Sequence, residues 1–146
     1  MADNPTRPVL QLRLVVEAQD YEQALAFYRD ALGLPQLEAY TGDGDARVAI
    51  LDAGRATLEI ANPAQKRMID DVEVGRQVAP RLRVAFEVTD AAGVTTDLVD
   101  AGASLVAAPV RTPWDSLNAR LDAPAGLQIT VFQELGPSPA DDPHEG

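Results

Sequence analysis

The chain has 146 residues, 46% of them hydrophobic, with 12 basic and 23 acidic side chains and a net charge of −11. That length suits one domain with a core of its own, and the acidic balance argues against nucleic acid, whose phosphates need clustered Lys and Arg. There is no cysteine, which removes disulfides, thiolate metal sites and thiol nucleophiles; no run approaches the roughly 18 apolar residues of a membrane helix, and the polar stretch Met1 to Pro8 lacks a signal-peptide pattern, so a cytoplasmic protein with no membrane contact is expected.

Residues 10–17 alternate, with Leu12, Leu14 and Val16 on one face and Arg13, Val15 and Glu17 on the other, and this period of two predicts a strand. Asp20 stands where a helix cap belongs, with Gln23 at the capping-box position. Tyr21, Ala24, Leu25, Tyr28, Ala31 and Leu32 recur at helical spacing, and Gly33 supplies the stop. Strands are predicted near 36–40, 46–52 and 56–61, with the Gly-rich turn 41–45 between the first two. Residues 63–80 read as a linker whose Lys66 and Arg67 are solvated. A strand at 81–88, a helix at 91–101 ended by Gly102, and strands at 104–108, 116–122 and 127–133 follow. Gly136 to Gly146, rich in Pro, Gly and charge, reads as a disordered tail, and it holds the one histidine, His144.

The order is the same twice. Leu12, Arg13, Glu17 and Asp20 recur as Leu82, Arg83, Glu87 and Asp90, and Leu51-Asp52-Ala53 recurs as Leu121-Asp122-Ala123, each 70 residues later. The expected fold class is therefore α+β, with two tandem β-α-β-β-β modules (9–62 and 81–135) in a single domain over 1–135. Together they would form a curved mixed sheet around a concave cavity able to hold a ligand.

Three stretches carry a resemblance: Ala24-Leu25-Ala26-Phe27-Tyr28-Arg29-Asp30-Ala31-Leu32-Gly33-Leu34, Ala56-Thr57-Leu58-Glu59-Ile60, and Thr112-Pro113-Trp114 through Ala123-Pro124-Ala125-Gly126-Leu127. Across about residues 9–135 the chain resembles the glyoxalase, bleomycin-resistance and extradiol-dioxygenase superfamily, also called vicinal oxygen chelate. In its metal-dependent members four ligands, normally His, Gln or Glu, sit on the first and last strands of each copy. Carried over, those places hold Arg13, Glu59, Arg83 and Thr130, with Gln11 sharing the face of Arg13. Only Glu59 is a good ligand, because a guanidinium is protonated and has no lone pair for a metal. The resemblance with this substitution implies a cavity with no metal and no cofactor.

Alternation adds Gln128 to that face, with Asn118 and Arg120 from the neighbouring strand. Two readings stay open: a structural Arg–Glu–Arg cluster of Arg13, Glu59 and Arg83, and a free arginine that grips a carboxylate or phosphate. Glu59 is also the candidate general base, although nearby arginines would lower its pKa. Trp114, in a Pro-flanked loop, could stack on a flat ligand; Tyr40 is a weaker candidate, and Phe27 and Tyr28 read as core. Asp43 and Asp45 lack the Gly and distal Glu of a calcium loop.

The resemblance points first to a metal-independent small-molecule binder like the bleomycin-resistance branch, which sequesters drugs or metabolites, often as a homodimer. The alternatives are a glyoxalase-like lyase or isomerase, or a dioxygenase-related enzyme, and a partner-binding module whose cavity is closed by side chains.

Overall fold

The computed structural model describes residues 10–136 apart from Leu12, Leu58 and Ile60. The expected disordered tail and His144 lie outside the described residues, save for Gly136.

Asp20 begins the first helix as its sequence suggests, accepting from the Gln23 amide at 3.0 Å. Helix α1 (Tyr21–Leu25) continues as a π-helical turn (Ala26–Ala31), and Gly33 ends it at a φ of 89° that favours glycine. The hairpin β1 (Gln36–Thr41) and β2 (Arg47–Leu51) follows. Next comes helix α2 (Pro63–Glu73), then β3 (Val84–Glu87) and α3 (Ala91–Asp100), capped by Asp90 on the Gly93 amide at 3.0 Å. Strands β4 (Ser104–Arg111), β5 (Ser116–Ala123) and β6 (Leu127–Glu134) complete the chain.

The second module is the complete one. Its sheet runs β3-β6-β5-β4, with β3 parallel to β6 and the other pairs antiparallel. Ala119 and Leu121 of β5 meet Ile129 and Val131 of β6 on one face, where Ala91 and Leu98 of α3, Ala103 and Phe27 of the π-helical turn bury against them. The first module therefore contributes a core residue to the second module's sheet.

Two expected strands are not formed. The described residues of 10–17 and of 56–61 belong to no ladder, and Leu10, Leu14 and Val15 are exposed. Alternation assigns side chains to faces but does not supply the partner strand whose hydrogen bonds define a sheet. The stretch 63–80, expected to be linker, instead folds into α2, started by Asn62 accepting from the Gln65 amide at 2.9 Å and by Pro63 in the first turn. Among the described residues no helix is long and apolar enough to cross a membrane.

Candidate functional site

The face of the sheet opposite the core is polar because β5 and β6 alternate in register. Arg120 lies opposite Thr130, Asp122 opposite Gln128, and Asn118 opposite Phe132. β3 sets Ala85 beside Thr130, which puts Arg83 and Glu87 on the same face. The sequence-predicted residues Arg83, Asn118, Arg120, Gln128 and Thr130 are thus brought together.

Helix α2 covers the centre of that face with two acids three residues apart. Asp70 accepts from Arg120 Nη1 at 2.8 Å, and Glu73 accepts from Arg120 Nη2 at 2.7 Å and Nε at 3.2 Å. All three side chains are cut off from water. Asn118 donates to the other Glu73 oxygen at 2.7 Å and accepts from Ser116, whose hydroxyl lies 2.8 Å from that of Thr112. Gln128 accepts from Arg120 at 2.9 Å and donates to Asp122 and to the Val78 carbonyl. Asp70 also accepts the Val78 and Ala79 amides, each at 2.9 Å. Burial alone would push the Asp70 carboxyl up; the Ala79 amide, Arg120 and the Val78 amide outweigh it and hold the carboxyl below its ordinary value.

Asp70 and Glu73 are the residues that sequence reasoning misses. The signal was present: Asn62 followed by Pro63 is a helix start, and positions 70 and 73 share a helix face.

The other expected residues scatter. Arg13 is exposed and bonds Gln11 at 3.0 Å, and Glu59 is exposed with no ion pair among the described residues. The Arg13–Glu59–Arg83 cluster therefore does not assemble, because the strands expected to bring in Arg13 and Glu59 are not part of the sheet. The acids buried beside an arginine are Asp70 and Glu73, on Arg120. Trp114 is half-buried in the β4–β5 turn; six residues of β6 separate that end of the sheet from the Gln128 row, about 20 Å. Tyr40 donates to Glu38 on the exposed hairpin.

Arg83 itself is half-buried and donates through Nη1 to the Thr130 hydroxyl. Burial, followed by the charge of Arg120, holds its guanidinium below its ordinary value, against the opposing pull of Glu73, Glu59 and Asp70. A separate cleft of about 480 Å³ lies at the outer edge of β3, between Leu32-to-Pro35, Asp52-to-Arg55 and Ala85-to-Val88.

A sequence model of the Glyoxalase/Bleomycin resistance protein/Dioxygenase superfamily matches residues 11–131. The chain belongs to this superfamily. Among solved structures, a glyoxalase family protein from Bacillus cereus is 19% identical, with a TM-score of 0.59 over 92% of this chain and 100% of that one. An antibiotic binding protein from Streptomyces sp. CB03234 is 22% identical, with a TM-score of 0.56 over 88% of this chain and 98% of that one. No curated protein matches the chain.

The superfamily's metal-dependent members set the test for a metal here. Arg83 and Thr130, two of the four residues that the resemblance carries to the ligand places, spend themselves on each other, and Arg13 and Glu59 stand apart in solvent. A protonated guanidinium gives a metal no electron pair, and among the described residues no group of three or more His, Asp or Glu is placed to hold one. The donor set does not fit a metal of the superfamily's kind.

Proposed function

We propose that this superfamily member binds a small organic molecule without a metal, in the manner of a drug- or metabolite-sequestering protein. The observation that carries the reading is Arg83 donating to Thr130, two residues that the resemblance carries to the superfamily's ligand places. The Streptomyces neighbour supports it to the extent that this fold includes a protein named for antibiotic binding. The test is elemental analysis of the purified protein beside thermal-shift screens with metals, a chelator, and drug and metabolite panels. A compound that raises the melting temperature equally with and without chelator is expected. A stoichiometric metal whose removal lowers the melting temperature would overturn the reading.

One observation favours a second reading, a partner-binding module. Helix α2 already fills the centre of the polar face with Asp70 and Glu73, as expected of a cavity closed by side chains. A protein that responds to no compound yet holds a protein partner would support it. A homodimer goes with either reading, since Leu37, Tyr40 and Val48 of the hairpin are exposed and a two-stranded hairpin is marginal alone. Sedimentation showing a monomer at micromolar concentration would remove it.

A further inference from the structure

The described cations fall into three groups. Arg13, Arg47, Arg55, Arg67, Arg76, Arg81 and Arg111 are exposed to water, where a lone charge costs little. Arg29, Lys66 and Arg120 are partly or fully buried, and each has a carboxylate within ion-pair distance. Arg83 is the remaining one: among the described residues it is taken partly out of water with no carboxylate in reach. A desolvated guanidinium with a hydroxyl as its partner is a costly arrangement that an anion would relieve.

The acids nearest to it are already committed. Asp70 and Glu73 are filled by Arg120, the Val78 and Ala79 amides and Asn118. Asp122 accepts from Gln128, and Glu59 acts on Arg83 only at longer range. Helix α2 thus neutralises one of the two arginines on this face and leaves the other. Ala85 and Thr130, the next pair along the same face, carry small side chains.

We infer that Arg83 and Thr130 form a subsite for one anionic oxygen group, so that the ligand is a small organic anion carrying a carboxylate or a phosphate. This rests on the metal-independent reading above and specifies its ligand. The guanidinium donates two parallel N–H groups to the anion, and Thr130, released from Arg83, turns its hydroxyl to donate to the same group.

The experiment is calorimetric titration of the full chain, in chelator, with benzoate, phenyl phosphate and their uncharged counterpart benzamide. Benzoate or phenyl phosphate binds, benzamide binds at least about tenfold more weakly, and Arg83→Gln removes the difference. Arg83→Lys, which keeps the charge but loses the fork, binds the anion several-fold more weakly than the native protein. The preferred probe of the two anions tells carboxylate from phosphate. Equal binding of benzamide and benzoate, or anion binding unchanged in both Arg83 variants while the fold is retained by circular dichroism, overturns the subsite. If neutral compounds bind in chelator and neither anion does, the subsite alone fails. If the anions bind only when a metal is added, the metal-independent reading fails with it.

Discussion

A guanidinium shut away from water is tolerated when its donors are filled and its charge is met, and Arg120 satisfies both conditions through Asp70, Glu73 and Gln128. Forming such a cluster is not by itself a gain over well-packed apolar side chains, but breaking it leaves charges stranded. Arg120→Met should therefore lower stability by about 3–5 kcal/mol, read from urea midpoints. Adding Glu73→Gln should recover part of the loss, because one stranded carboxylate is gone; a double variant no better than the single one would show that packing, not charge, sets the cost. Thr95 is the opposite case. Its hydroxyl, on the buried side of α3, has no partner among the described residues, so Thr95→Val should stabilise by about 1 kcal/mol, a melting temperature about 3 °C higher. A lower melting temperature would mean that the hydroxyl is satisfied in solution. Sequence periodicity finds Arg120 and its face but cannot tell which acid meets it. The resemblance sets Glu59 beside Arg13 and Arg83 and gives Arg120 no acid, whereas the partners of Arg120, Glu73 and Asp70, lie 47 and 50 residues before Arg120 on another element.

Helix α2 shows where such reading stops. In the second module alternation places Arg83, Asn118, Arg120, Gln128 and Thr130 on one face, since a strand's period is fixed by its backbone. A polar helix carries no comparable instruction: the acids of α2 look solvated until a buried arginine far along the chain selects their face. The stretches 10–17 and 56–61 show the converse, having the period of a strand while their described residues belong to no ladder. Because Asp70 anchors α2, its attachment should respond to acid. Asp70 sits below its ordinary value of 3.8 in the native protein. A lowered native pKa gives stability that is complete above pH 3.8 and is lost as pH falls through the native value. Asp70→Asn should thus be clearly less stable than the native protein at pH 7, and the gap should narrow as the pH falls below 3.8. Equal gaps in urea midpoints at pH 7 and pH 3 would show that the carboxylate charge is not what holds the helix.

Over the whole molecule, the two modules are joined by more than the chain. Phe27 enters the core formed by β5, β6 and α3, and Tyr28 beside it donates to the Pro124 carbonyl at 2.8 Å, 96 residues away. The first module thus hangs on the second through its helix, while among the described residues its hairpin β1–β2 pairs only with itself. Both aromatics read as core from their place on the helix, but that place cannot reveal that the core is the other module's. Tyr28 also makes the junction sensitive to alkali. Burial pushes its phenol up to about 12 from 10.0. A group whose native pKa is raised contributes stability that is complete below the unfolded value and is lost as pH rises through the native one, so stability should fall between pH 10 and pH 12. The comparison with Tyr28→Phe isolates this group. At pH 7 the variant should lose about 1 kcal/mol with the hydrogen bond to Pro124, and from pH 10 to pH 12 its decline should be shallower than that of the native protein. Parallel declines would mean that Tyr28 is not held un-ionised by burial at the junction, and that its ionisation does not weaken the contact with Pro124.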